Sequence, residues 1–257
     1  HMTYELVSSQ FPEKTNFIPH SLPDDLFFPI DDHLREQNRV NVLGNDRKDD
    51  FILFWVNRNA RRKRPGVLLA WSNFINAEQV KNPGTRVPAT LLMHTDPYDQ
   101  EGPNLVAVSE KLGIADSVVF SNARIEFEKM NILHNISDAC INIAYAEGFG
   151  LATLEAMQCG KPIIASKTGG LTRQVVDHRD GSENGIALNI DSKSLVGSQN
   201  VPYIYEDYAS VDKASDAISR MYNMPKEERE KLGTKAREYV QSEFSFQNTV
   251  DAWHDSL

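Results

Sequence analysis

Two glutamates, Glu147 and Glu155, stand eight residues apart, with glycines at 148 and 150 between them. Glycines in a loop that enters a helix leave several backbone N–H groups free and aimed at one point, with the positive end of the helix dipole behind them. Gly148 and Gly150 have no Cβ, so a ligand can come close to the backbone there and a positive φ is accessible. Such a loop is an anion site, best suited to phosphate. Carboxylates beside a phosphate site make sense when the ligand also carries hydroxyls: the amides take the phosphate and the acids accept hydrogen bonds from a sugar. A basic loop lies earlier in the chain, Asn57-Arg58-Asn59-Ala60-Arg61-Arg62-Lys63-Arg64-Pro65. It admits three readings: a solvated charged loop, a localisation or nucleic-acid patch, or a clamp on a diphosphate.

The elements that must hold these residues are legible around them. Ile141, Ile143 and Tyr145 alternate with smaller residues at the period of a strand. Leu151 to Gln158 contains no helix breaker and places Leu151, Leu154 and Met157 at helical spacing, and Gly160 and Pro162 stop it. Ile163-Ile164-Ala165 is a short apolar run of the kind found in a covered parallel sheet, and Gly169-Gly170 gives a second backbone approach after it. Phe51-Ile52-Leu53-Phe54-Trp55-Val56 reads as the strand before the basic loop, and Gly66 to Val80 as the helix after it. The basic loop therefore sits at the carboxyl end of a strand, where ligands bind in an open parallel sheet.

The stretch EGFGLATLEAMQCGKPIIAS, with its Glu147-x₇-Glu155 spacing, resembles the donor site of retaining glycosyltransferases of family four, which have the GT-B fold. The plain alternative is an ordinary βαβ unit whose loop happens to contain glycine and glutamate. The resemblance implies that this chain corresponds to the C-terminal, nucleotide-sugar-binding half of that fold. It implies Glu155 on the ribose hydroxyls and Glu147, as the catalytic carboxylate, on the transferred sugar. It implies the amides of Phe149, Gly150 and Leu151 on the diphosphate, with a hydroxyl contact from Thr153. The family has Arg-x₄-Lys opening the helix after the first strand, and Arg58 and Lys63 match that spacing, which favours the clamp. Arg124 and Ile125, in the loop after a strand at Ser117–Phe120, become candidates for contact with the nucleotide base.

Residues 3–45 are rich in Pro, Asp and Asn and show little periodicity. Phe17-Ile18-Pro19-His20-Ser21-Leu22-Pro23 and Leu26-Phe27-Phe28-Pro29 resemble the family's interdomain connector, departing from it at Ser-Leu-Pro. The expected organisation is a tag scar and linker over 1–45, a nucleotide-sugar-binding domain over 46–244, and a crossover-type helix over 245–257 that in the family returns to the N-terminal domain. On this reading the N-terminal, acceptor-binding domain is absent, and Trp253 is left without its usual partner. Further strands are expected at Thr90–His94 and Gly185–Leu188, with an extended piece at 202–205. Helices are expected at Asn104–Leu112, Glu126–Ala139, Leu171–Val176, Asp212–Met221 and Lys226–Phe244. Residues 191–201 read as an irregular surface insertion.

The 257 residues carry a net charge of −9, which weighs against nonspecific nucleic-acid binding by the chain as a whole. No apolar run is long enough for a membrane span, no signal peptide is visible, and the two cysteines, Cys140 and Cys159, lie in apolar context, so a cytoplasmic location is expected. His94, His134 and His178 read as structural or surface residues. No Cys/His cluster has metal spacing and no Asp-x-Asp motif occurs, so no metal and no cofactor is called for beyond the donor itself. The expectation is an α/β chain, a single Rossmann-like domain with a parallel sheet covered by helices on both faces. Its expected activity is retaining transfer of a hexosyl or pentosyl group from a UDP-, GDP- or ADP-sugar to an unknown acceptor. Other functions open at this point are a nucleotide-sugar epimerase or phosphorylase-like enzyme, a noncatalytic nucleotide-binding module, and a phage-type transferase acting on DNA.

Overall fold

The strand Phe51–Val56 sends Phe51, Leu53 and Trp55 into one buried layer and Ile52 and Phe54 into another. A strand apolar on both sides belongs inside a sheet covered on both faces. The computed structural model describes residues 2–200 and 204–257. In chain order its elements are α1 (Met2–Gln10), α2 (Asp32–Leu43), β1 (Phe51–Val56), α3 (Val67–Lys81), β2 (Ala89–His94), α4 (Leu105–Lys111), β3 (Val118–Ser121), α5 (Phe127–Ile136), β4 (Ala139–Asn142), α6 (Leu151–Gln158), β5 (Ile163–Ser166), α7 (Leu171–Val175), β6 (Gly185–Leu188), β7 (Ser192–Leu195), β8 (Tyr205–Tyr208), α8 (Val211–Asn223), α9 (Lys226–Glu243) and α10 (Phe246–Ser256).

Six strands form one parallel sheet in the order β3-β2-β1-β4-β5-β6, with β1 and β2 paired from Phe51↔Ala89 to Val56↔His94. Every connection is a crossover through a helix or loop, and the order reverses between β1 and β4. On one face α3 and α8 pack together over Leu53, Trp55, Leu91 and Met93. On the other, α2 and α5 cover Ile52 and Phe54, and α6 and α9 cover Cys140 and Ile163. This is the covered α/β sheet that the sequence predicts.

Three local expectations are corrected. Residues 32–43, read as linker, form α2, which buries only Arg39 and Leu43 and so carries no hydrophobic period. It is held instead by polar contacts. Arg35 and Arg39 each bond one oxygen of Asp138, at 2.8 and 2.7 Å, and Ile52 N donates to the same carboxylate at 2.8 Å. Residues 192–195, read as irregular, form β7, which pairs antiparallel with β8. The expected helix to Ala139 ends at Ile136, because Ala139 already belongs to β4. The extended piece at Pro202 and Tyr203 lies outside the described residues.

Candidate functional site

In an open doubly wound sheet the crevice for a ligand lies beyond the carboxyl ends of the strands where their order reverses. Here that point lies between β1 and β4. A cavity of about 300 Å³ opens there, with Asn57 and Lys63 on the β1 side and Asn142, Glu147 and the start of α6 on the β4 side. His20 closes it from the N-terminal segment and meets the Phe149 ring edge-on, centroids 5.1 Å apart.

The loop after β1 presents Lys63 to this cavity. A single 3-10 turn, Arg61–Lys63, is followed by Arg64 in left-handed backbone with φ 54°. That reversal buries the Arg64 guanidinium against two aromatic rings, 5.2 Å from the Tyr145 centroid and 4.8 Å from the Tyr208 centroid. The β7–β8 hairpin fixes the same loop again: Arg61 bonds both oxygens of Glu206 at 2.8 and 2.6 Å, and Asp207 N donates to Tyr145 O at 2.7 Å. So placed, the Lys63 ammonium forms an ion pair with the Glu147 carboxylate across the switch point.

On the other wall, Gly150 precedes α6 at φ 96°. A side chain there would be strained and would bring a Cβ within 2.6 Å of Leu171 Cδ2 and 2.8 Å of Thr153 Oγ1. The first-turn amides of α6 have no intrahelical partner and face the cavity end of the helix. Gly169 has φ 48°, and a Cβ on it would fall 1.9 Å from Glu147 O, while Gly170 N donates to that oxygen at 3.1 Å. The second glycine pair therefore admits the backbone of the Glu147 loop.

Glu155 is set by His134, which the sequence places among structural or surface histidines. His134 is fully buried, with its ring edge-on to Phe27 and Phe54, and its Nε2 lies 3.0 Å from Glu155 Oε2. The other ring nitrogen, Nδ1, is buried without a partner. A carboxylate oxygen accepts, so Nε2–H is the donor of this hydrogen bond. Two further side chains were missed. Asn57 Nδ2 and Asn142 Nδ2 are buried donors with no partner, and both residues line the cavity. Asn142 Oδ1 accepts from Ala144 N at 3.1 Å, which leaves its amide nitrogen as the free end. An unmet buried donor costs about 1–3 kcal/mol, so the pair are placed for acceptor oxygens on a ligand. The available signal was a polar Asn142 inside the apolar run ACINIA, and Asn57 directly beside Arg58.

The remaining sequence candidates divide. Lys63, Glu147, Phe149, Gly150 and Leu151 line the cavity. Thr153 does not: it is fully buried, and its hydroxyl donates to Gly150 O and Gln174 Oε1, so it braces the loop and is not turned to a ligand. Arg58 points outward, paired with Asp99 in the loop after β2 at 2.7 and 3.1 Å. Arg124 is exposed, and Ile125 packs against the cluster around Ile52 and Phe54. Cys140 and Cys159 are free and buried, and burial pushes both thiols well up. Trp253 is 57% exposed, on a helix that buries none of its residues.

The fold and site together define a doubly wound domain with a polar cavity at its switch point. Residues 41–239 match the family profile described as glycosyl transferases group 1, and the chain belongs to that family. It is 30% identical over 171 residues to a D-inositol 3-phosphate glycosyltransferase of Segniliparus rotundus, covering 66% of this chain and 35% of the relative. It is 31% identical over 137 residues to the enzyme of that name from Mycolicibacterium smegmatis, covering 52% and 29%. The chain thus spans about a third of the length of the curated relatives it matches. Among solved structures it superposes on sucrose-phosphate synthase of Thermosynechococcus elongatus with TM-score 0.69 at 23% identity, covering 98% of this chain and 54% of that one. It superposes on Anabaena HepE in complex with UDP and glucose with TM-score 0.67 at 16% identity, covering 92% and 56%. The C-terminal domain of a group 1 glycosyl transferase from Francisella tularensis gives 0.61 at 17%, covering 88% of this chain and 99% of that domain. These likenesses establish the C-terminal GT-B domain fold. Among the described residues no helix is long and apolar enough to cross a membrane.

Proposed function

We propose that this domain binds a nucleoside-diphosphate sugar and presents it for glycosyl transfer with retention at the anomeric carbon. One observation carries the reading: the Lys63 ammonium, the two orphaned amide donors of Asn57 and Asn142, and the N-terminus of α6 converge on a single cavity at the switch point. All are donors or positive, and a diphosphate is what they fit. Breaking the sugar–phosphate bond builds negative charge on that diphosphate, so fixed donors aimed there lower the barrier most in the transition state. Glu155, held by His134, takes the ribose hydroxyls. Glu147 meets the transferred sugar once the phosphate has drawn Lys63 away from it. Arg58 joins the diphosphate only if Asp99 releases it, and Arg124 and Ile125 stand by the base. The reading assigns no metal and no cofactor, and the free buried thiols suit a cytoplasmic setting.

On its own the 257-residue chain is expected to bind donor without transferring sugar. It covers about half the length of the sucrose-phosphate synthase and HepE chains, and aligning an acceptor takes a second wall to the cleft. The test is a thermal-shift series with UDP-, GDP- and ADP-sugars and the matching nucleosides. At a ligand concentration of 100 Kd the folded state gains about 2.7 kcal/mol, or roughly 5–10 °C for a chain of this size. One base should stand out, and its nucleoside should give far less. No response to any nucleotide sugar, or an equal response to nucleoside and diphosphate, would overturn the reading.

A further inference from the structure

A second cavity, of about 220 Å³, lies at the opposite edge of the sheet, below the amino ends of β4 and β5. β5 is four residues long, so roughly 13 Å of strand separates this edge from the donor site. Five cationic side chains line it against three carboxylates. Most of that charge is already committed. Asp138 is held by Arg35 and Arg39, and Glu230 lies 3.6 Å from Lys226. Arg229 donates to carbonyls at the end of α8 and lies over the Phe51 ring. Asp32 is exposed and forms no ion pair among the described residues. Lys161 and Arg237 remain: both are half-buried, both line the cavity, and neither side chain has a hydrogen-bond or ion-pair partner among the described residues.

Their positions are fixed by backbone. Gly160 N donates to Met157 O and Lys161 N to Ala156 O, both at 2.9 Å, so the turn after α6 presents Lys161 rigidly. α9 rides against that turn through Gly233, where a Cβ would fall 2.0 Å from Gly160 O. Arg237 lies one helical turn beyond Gly233 and so on the same face. We propose that this cavity binds a phosphate-class oxyanion between Lys161 and Arg237. Lys161 has no ion-pair partner of its own, and the nearby Arg35 and Arg39 already share Asp138, so an anion would balance the cluster. Burial, reinforced by Arg35 and Arg39 and opposed by Asp138 and Cys159, pushes the Lys161 ammonium down to about 8. The space holds several water molecules, enough for a phosphoryl group with a small substituent. The site is separate from the donor cavity and does not depend on how that cavity is read.

The test is a ¹H–¹⁵N NMR titration of the chain with sodium phosphate, and in a second arm with glycerol phosphate, against sodium chloride at matched ionic strength. A saturating set of shifts is expected at Gly160, Lys161, Gly233 and Arg237, distinct from any at Gly148–Leu151. The tighter arm names the source, free phosphate or a phosphomonoester. Lys161→Met should weaken this set by at least about tenfold, as loss of a charge-assisted contact does. Arg237→Gln, a substitution on the surface of α9, should do the same if the first variant does not fold. Lys63→Ala should leave the set unchanged. Shifts confined to Gly148–Leu151, or equal affinity in Lys161→Met, would overturn the proposal.

Discussion

Lys63 and Glu147 form an ion pair that ties the loop after β1 to the loop after β4, directly over the point where the strand order reverses. Both side chains are largely withdrawn from water, 15% and 10% exposed. The lysine is thus held by the residue proposed to meet the sugar. On the proposed reading a diphosphate competes with Glu147 for Lys63, and its arrival frees the carboxylate.

Lys63→Ala should weaken nucleoside-diphosphate binding by about 1.5–3 kcal/mol, or one to two decades in Kd, and leave nucleoside binding almost unchanged. Isothermal titration with both ligands checks this. Equal losses would make Lys63 a support of the fold, and no loss would remove it from the diphosphate site.

The two glutamates should respond in opposite ways. Glu147→Gln removes the counter-charge on Lys63, so affinity for the free nucleoside diphosphate should hold or rise. In a longer chain with transferase activity the same change should lower kcat, since a neutral amide cannot stabilise positive charge at the anomeric centre. Glu155→Gln should weaken nucleoside diphosphate and intact donor alike, because a ribose contact is uniform binding. His134→Gln retains a donor and should fall between wild type and His134→Ala. Calorimetry on the four variants decides it; a loss in Glu147→Gln as large as in Glu155→Gln would refute the division of roles.

Gly169→Ala and Gly148→Ala should separate fold from binding. At Gly169 a Cβ meets Glu147 O at φ 48°, so the variant should lose at least about 2 kcal/mol, read as a lower midpoint in urea. At Gly148 a Cβ has nothing within 4 Å, so stability should stay within about 0.5 kcal/mol. If the loop amides hold a phosphate, nucleotide affinity should nevertheless fall in Gly148→Ala.

Asp138 should dominate the acid limb of stability. Burial alone would raise its pKa, but Arg39, Arg35 and the Ile52 amide together hold it below the usual carboxylate value. A depressed folded pKa means stability that is complete above the unfolded value near 3.9 and lost as pH falls through the folded one. Asp138→Asn strands two guanidinium groups and should cost about 3–5 kcal/mol at pH 7. Denaturation curves from pH 7 to 2 should be flatter for the variant, and parallel curves would remove Asp138 from this role.

What the sequence determined by itself was whatever is written in local chemistry. The bounds of α6 were legible from Gly150 and Gly160 on either side of an unbroken helical run, and β1, β2, β5 and β6 from short apolar runs that only a covered sheet accommodates. The glycine loop, its two glutamates and the basic loop were likewise legible as types at a spacing. Tertiary structure alone decided which way side chains turn. Thr153 and Leu151 are two residues apart on one helix, yet one is fully buried and the other faces the cavity, because packing against Gln174 fixes the face. Arg58 and Lys63 share a loop, but Asp99 on the next connection takes one while Glu147, 84 residues along the chain from Lys63, takes the other. α2 was illegible because its anchor is a pair of arginines on Asp138, and an interface of ion pairs has no hydrophobic period to read. The donors Asn57 and Asn142, and the histidine behind Glu155, gain their meaning only from what surrounds them, since a side chain left without a partner is a property of neighbours brought together by the fold.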